Sequence, residues 1–321
     1  MSSMEDKWRW VALTAIAPVA WGATYYVTRA FLPADLPLQG GVVRALPAGL
    51  LLLVVGRTLP RGSWWWKSLV LGGLNMSGFF VLVYLAAQLL PTSIASVVMA
   101  MSPVAMMVVA RALLSERPGT RRVVGAAMGI TGVGVMLLTG GESVDPWGIA
   151  ASVGAMVMSS LGYVLSKTWG REVPVLASTS WQLVAGGLLL LPVALVVEGM
   201  PTLPTASEAA GYAFVSVVAT ALAFMAWFTG LRHLSAGEVG LIGLLNPVSG
   251  VALGTVLGSE GLTARQVAGT VLVLAGILVG QGFRLRRSGR EPTPPTAAAC
   301  EVSPRRVAGA PRCAPPRRAR C

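Results

Sequence analysis

The chain has 321 residues, 54% of them hydrophobic and 12% charged, and 25 Lys and Arg outnumber 13 Asp and Glu to give a net charge of +12. That charged fraction is about half what a soluble domain carries, and the apolar residues run in long unbroken stretches, so an ordinary soluble globular protein is excluded. The excess charge sits in the links between those stretches and in the C-terminal tail, not on a foldable basic face; this excludes nucleic acid as a partner and makes the lipid bilayer the first one.

Ten apolar segments follow one another at 9–32, 38–56, 66–89, 93–114, 121–139, 146–168, 174–197, 208–231, 236–258 and 264–283. Each is ~20 residues long, the length that crosses ~30 Å of hydrocarbon as a helix. Residues 1–8 form a short N-terminal lead. The first segment exceeds a signal-peptide core and lacks a small-residue cleavage pattern, so it is expected to be retained as a span. It carries Trp21, Thr24 and Tyr25, and Arg29 near its end is expected to snorkel.

Arg44 lies about one turn into the second segment. A charge there is either an anchor for a substrate carboxylate or phosphate, or a snorkelling or helix-end group; the two readings weigh equally. Trp64, Trp65 and Trp66, like Trp8 and Trp10, flank spans and read as interfacial anchors. The third segment holds Asn75, Phe79 and Tyr84, the fourth Ser102, the sixth Tyr163, the eighth Phe224 and Trp227, and the ninth Asn246. Together with the first-segment residues these are the candidate lining of a small-molecule cavity, where aromatics give apolar walls with polar tips and Asn gives orienting hydrogen bonds. Any single aromatic in a span is more commonly packed or lipid-facing, whereas an amide facing hydrocarbon is unfavourable, which singles out Asn75 and Asn246. Pro103 and Pro247 are expected to free a backbone carbonyl in mid-span and to kink their helices into hinges. Lys167 is expected to snorkel, and Glu238 to pair locally with Arg232 or His233.

The run from Pro103, PVAMMVVARALLSERPGTRRVVGAAMGITGVGV, aligns without a gap to the run from Pro247, PVSGVALGTVLGSEGLTARQVAGTVLVLAGILV. Ser115–Glu116 meets Ser259–Glu260, Gly125 meets Gly269 and Gly132 meets Gly276. Each copy is an apolar segment, a Ser-Glu link and a Gly-rich apolar segment, so the chain is two related halves. Upstream, Arg44 corresponds to Gln182, and Phe80 and Tyr84 to Phe224 and Phe228. Glu116 and Glu260 sit at membrane edges just before a helix begins, where accepting amide hydrogens at a positive helix end is favoured over carrying protons. The glycines at helical spacing that follow suit close helix packing.

If the N-terminus is inside, the inner loops hold nearly all the Lys and Arg, and the outer ones hold Asp35, Glu142, Asp145, Glu198 and Glu208 with Arg265. Both termini are then cytoplasmic. Five spans per half make the second half enter from the opposite face, an inverted repeat of the kind found in secondary transporters.

Trp21–Gly22 in the first span, Arg44 early in the second, Pro103 in the fourth, and the Ser-Glu link with a following Gly, duplicated over ten spans, resemble the drug/metabolite transporter superfamily, specifically its EamA-type members. The resemblance covers about residues 9–283. It implies an all-α integral membrane fold of two five-helix halves (9–139 and 146–283), a central cavity bounded by the first, third, fourth, sixth, eighth and ninth spans, and fifth and tenth spans serving as scaffold or as contacts of a homodimer. One departure is that Ser115 and Ser259 stand where the family usually has Gly, a change expected to matter little. The tail, 284–321, is rich in Pro, Ala and Arg, holds all three cysteines and is expected to be a disordered cytoplasmic segment.

These readings predict a multi-pass transporter of the cell membrane, secondary or facilitative, moving a small metabolite such as an amino acid outward by alternating access, with no cofactor or metal. An exchanger of anionic substrates such as sugar phosphates or nucleotide sugars is the alternative within transport. An integral membrane enzyme fits poorly: there is one histidine, at a span edge, no HExxH, no cysteine within the spans and no paired carboxylates at mid-depth.

Overall fold

The computed structural model describes residues 2–33, 35–90, 98–137, 145–201, 203–258 and 263–282. Glu260, Ser259 and the 284–321 tail lie outside the described residues, as do the side chains of Tyr25 and Arg29. Among the described residues the chain is all helix. In order the helices are α1 (Ser2–Phe31), α2 (Pro37–Gly56), α3 (Trp64–Gly72), α4 (Gly78–Leu89), α5 (Ser102–Leu114), α6 (Thr120–Leu137) and α7 (Pro146–Trp169), followed by α8 (Val175–Glu198), α9 (Ala206–Ala213), α10 (Ala223–His233), α11 (Ala236–Gly243), α12 (Leu245–Gly258) and α13 (Ala264–Gln281). α3 runs into α4 through a wide π-helical turn at Gly73–Ser77, and α9 into α10 through another at Phe214–Leu222.

Eight helices among the described residues are long and apolar enough to cross a membrane, and α5 is a shorter apolar helix. In α6 two arginines in the first turn and four glycines dilute the apolar character. Helices suit this environment because hydrocarbon offers no partner for an open backbone amide or carbonyl. The exposed residues point the same way: Val54, Val108 and Val256 are 70%, 64% and 76% exposed, a distribution that water would penalise and lipid does not.

Small residues set the closest helix approaches. α6 and α13 run antiparallel and touch backbone to backbone: a Cβ on Gly276 would lie 2.6 Å from the Gly125 carbonyl oxygen, and one on Gly132 would lie 2.8 Å from that of Gly269. α2 and α8 cross likewise, with the Cβ position of Gly49 2.7 Å from the Val184 amide and that of Gly187 2.5 Å from Leu46. Without a hydrophobic drive between helices in lipid, such close van der Waals contact is what holds them together.

The start of α2 has no side-chain cap of its own. Glu198, at the end of α8, supplies one from 160 residues away, accepting the Leu38 and Gln39 amides at 2.7 Å each. This pins α2, and with it Arg44, at a helix end where a carboxylate is electrostatically favoured.

Pro103 and Pro247 do not kink continuous helices. α5 begins at Ser102, with Pro103 in its first turn, and α12 begins at Leu245, with Pro247 its third residue. The chain is instead broken just ahead of each, at Ala100–Met101 and at Leu244. A proline in the first turn forfeits no helical hydrogen bond, because that amide would have lacked a partner anyway.

Candidate functional site

Five rings from three helices meet in the interior. The Trp21 ring lies 5.3 Å from Phe224 and 5.1 Å from Trp227, Tyr163 lies 5.4 Å from Trp227 and 6.1 Å from Phe228, and Phe224 stacks on Phe228 at 5.7 Å. Phe224, Trp227 and Phe228 are spaced so that one face of α10 carries all three. Trp21 and Tyr163 come from α1 and α7, in different halves of the sequence. Trp227 is 3% exposed, and its indole nitrogen has no hydrogen-bond partner among the described residues.

The polar edge of this cluster is built on the wide turn before α10. The Ala219 carbonyl accepts the Trp21 indole hydrogen at 3.0 Å and a guanidinium hydrogen of Arg44 at 3.4 Å. Arg44 Nε donates to Thr220 Oγ1 at 2.8 Å, and Thr220 in turn donates to the Val215 carbonyl at 2.8 Å. The guanidinium also lies 5.1 Å over the Phe80 ring, which sits 5.7 Å from Phe79. Arg44 therefore points inward, held by neutral oxygens and a π face, and not out to the membrane edge. π-helical turns of this sort recur at functional sites.

The remaining expected lining residues are scattered. Asn75 is fully buried, donating to Gln182 Oε1 at 2.8 Å and to Ser166 Oγ at 3.2 Å, and its Oδ1 is pressed against Gly162. It packs between α7 and α8, and its Oδ1, like Gln182 Nε2, has no hydrogen-bond partner among the described residues. Gln182 is the counterpart of Arg44, so one half uses a cation where the other uses an amide pair. Tyr84 packs into an apolar group with Leu38, Val42 and Leu190, apart from the rings. Thr24 donates to the Ala20 carbonyl of its own helix at 3.2 Å. Ser102 is half-buried at the start of α5. Asn246 is half-buried on α12, where its Oδ1 is enclosed without a partner among the described residues and its backbone oxygen lies against Gly22 of α1.

The charged residues at the opposite end of the bundle also differ from expectation. Lys167 does not snorkel: it is 8% exposed and donates to Glu116 Oε1 at 2.6 Å and to the Leu234 carbonyl at 2.7 Å. Glu116 accepts the Ala236 amide at 3.1 Å, so it caps α11, not the helix that follows it in sequence. Glu238 pairs with Lys7 at 2.8 Å and Arg122 at 3.5 Å, whereas Arg232 donates to the Gly170 and Val173 carbonyls and His233 stacks on Trp10. Of the tryptophans read as anchors, Trp65 and Trp66 are exposed, while Trp64 is buried against Trp181 at 5.3 Å. Phe228, in the ring cluster, and Thr220, at its polar edge, are not among the lining residues expected from the sequence. The repeat marks Phe228 as the counterpart of Tyr84, but nothing in the sequence marks Thr220.

Among proteins of known sequence, the chain is 34% identical over 288 residues to Protein PecM of Dickeya dadantii, covering 89% of this chain and 97% of that one. It is 27% identical over 297 residues to a protein of Salmonella typhimurium named a probable amino-acid metabolite efflux pump, with 87% and 97% covered. A solved crystal structure superposes with a TM-score of 0.73 at 20% identity, covering 85% of this chain and 97% of the other, a likeness of fold. The model of the EamA-like transporter family matches residues 8–138 and 146–279. With its apolar helices and that double match, the chain is a multi-pass protein of the cell membrane and belongs to the EamA-like transporter family of the drug/metabolite transporter superfamily.

Proposed function

We propose that this protein is a secondary or facilitative transporter that moves an amino acid or related small metabolite out of the cell by alternating access, and not an enzyme. The observation that carries the reading is the ring cluster with its polar edge. An inward guanidinium at Arg44 suits a carboxylate, and the buried Trp227 indole N–H and Asn246 Oδ1 are a donor and an acceptor without protein partners among the described residues. Unpaired buried polar groups are costly, and a zwitterion bearing both donor and acceptor would satisfy them. The substrate site would be lined by Trp21, Tyr163, Phe224, Trp227 and Arg44, with Asn246 at its margin. The relative named as an amino-acid metabolite efflux pump supports that substrate class.

The architecture that goes with this reading is ten spans in two inverted five-helix halves, with both termini cytoplasmic. The Gly seam supports it. Gly125 corresponds to Gly269 and Gly132 to Gly276, and Gly125 lies against Gly276 as Gly132 lies against Gly269. The repeat thus carries the contact of Gly125 with Gly276 onto that of Gly269 with Gly132, the pattern a two-fold axis imposes. Because the two helices are antiparallel, that axis is perpendicular to them, as an inverted repeat requires. The helix breaks ahead of Pro103 and Pro247, also at corresponding positions, would serve as hinges.

The test is uptake of labelled amino acids by inside-out vesicles bearing the purified protein, with and without a proton gradient. Gradient-driven accumulation identifies a coupled exporter, and equilibration without accumulation a facilitator. Arg44 favours a second reading, an exchanger of anionic substrates. Flux of sugar phosphates without flux of amino acids would replace the first reading with that one.

A further inference from the structure

A basic cleft of about 670 Å³ opens at the end of the bundle where α1 and α6 begin and α13 ends. Four cations line it, Lys7, Arg117, Arg121 and Arg122, with Glu238 as the one carboxylate. Lys7 and Arg122 are spent on Glu238. The carboxylate is further occupied by the Ser235 amide at 3.0 Å and the Ser235 hydroxyl at 2.8 Å. Arg117 and Arg121 are exposed, and among the described residues no acidic side chain pairs with either. Arg121 lies beside Gly282, 3.6 Å from where a Cβ on that residue would stand.

Two further observations bear on what fills the cleft. Gln281, which also lines it, is 3% exposed, and its Oε1 has no hydrogen-bond partner among the described residues, so a buried acceptor is unmet there. Within a turn of Arg121 along α6, and of Gln281 along α13, the surface is apolar and open. Val123 and Val124 on α6 are 51% and 45% exposed, and Leu278 and Val279 on α13 are 45% and 38% exposed. Cations above an apolar flank present a phosphate-binding head over a seat for acyl chains.

We infer that this cleft binds the phosphate of an anionic glycerophospholipid, with Arg117 and Arg121 as its charge partners, the positive N-terminal end of α6 beside them and the α6–α13 seam carrying the chains. Guanidinium groups and a helix N-terminus are complementary to phosphate. A bound lipid there would brace the seam from the side, and an acceptor at Gln281 suits a hydroxyl on the headgroup.

The purified full-length protein in neutral detergent is titrated with phosphatidylglycerol or phosphatidylcholine, following retained lipid by native mass spectrometry and melting by intrinsic fluorescence. Phosphatidylglycerol is expected to bind more tightly and to raise the melting temperature. The pair Arg117→Gln and Arg121→Gln should weaken its binding roughly thirtyfold while leaving the melting temperature in phosphatidylcholine unchanged, since both residues are exposed. The control pair Arg57→Gln and Arg61→Gln, at another exposed loop, should not weaken it. Equal binding of the two lipids, or full phosphatidylglycerol binding by the cleft variant, overturns the inference. Inorganic phosphate giving the same arginine-dependent stabilisation, with no lipid preference, overturns the lipid in favour of free phosphate. None of these readouts depends on what the protein transports.

Discussion

Trp21 and Arg44, on different helices, donate to one acceptor, the carbonyl oxygen of Ala219. That carbonyl lies in the wide turn Phe214–Leu222, where the Val215 carbonyl also takes a side-chain donor, Thr220. The turn therefore fastens a ring and a cation from the first half of the sequence to a helix of the second.

Arg44→Gln is expected to weaken apparent affinity for a carboxylate-bearing substrate by about tenfold to a hundredfold, the worth of a hydrogen bond to a charged group. Thr220→Val keeps the charge but removes the Nε acceptor, so it should raise KM with a smaller loss of maximal flux. Concentration-dependent vesicle uptake separates the two. Equal kinetics in all three proteins would remove Arg44 from the substrate site.

Lys167→Met leaves the Glu116 carboxylate without its cation and the Leu234 carbonyl without its donor. Loss of one partner of a buried pair costs about 3–5 kcal/mol, and because the Glu116 side chain is 25% exposed a lower figure, about 1–3 kcal/mol, is expected here. The double change Glu116→Gln with Lys167→Met should recover much of that loss, because no buried charge is then stranded. Unfolding of the wild type, the two single variants Lys167→Met and Glu116→Gln, and the double variant in detergent gives the coupling. Strict additivity would mean that the pair is not coupled.

Ser115 adopts φ 55°, the left-handed region, as the C-cap of α5. A side chain there carries a steric cost that glycine avoids, so the departure from the usual family glycine is not neutral. Ser115→Gly is expected to stabilise the protein by about 0.5–1 kcal/mol, seen as a raised melting temperature with unchanged transport. A lowered one would mean that the serine side chain contributes more than its backbone strain costs.

What could be read from the sequence was whatever repeats or runs locally. Of the ten spans expected from apolar length, eight are helices long and apolar enough to cross a membrane among the described residues, and the duplicated glycines marked helices that do come together, Gly125 on Gly276 and Gly132 on Gly269. Trp21, Tyr163, Phe224 and Trp227 were recognisable as aromatics in apolar spans, and they share one cluster. Pairings across the chain left no local trace. Glu198 caps a helix 160 residues away, and Lys167 finds Glu116 at a separation of 51. Asn75 reads as a cavity amide because it is polar in a span, yet its amide hydrogens go to Gln182 and Ser166 within the protein, and only its Oδ1 is left without a partner among the described residues. Pro103 reads as a kink because the sequence does not reveal that its helix starts one residue earlier.

The two wide turns, Gly73–Ser77 and Phe214–Leu222, fall at corresponding places in the two halves. Each residue of a regular helix advances the direction of its side chain by about 100°, so a turn that takes in one residue more than usual rotates everything beyond it by roughly that angle. Phe224, Trp227 and Phe228 are thus aimed at Trp21 and Tyr163 by the winding upstream as much as by their own spacing. An inward-facing stripe counted at 3.6 residues per turn from the start of α9 would slip out of phase before it reached them. Deleting a single residue between Phe214 and Leu222, with no aromatic touched, would be expected to swing the rings of α10 towards the lipid.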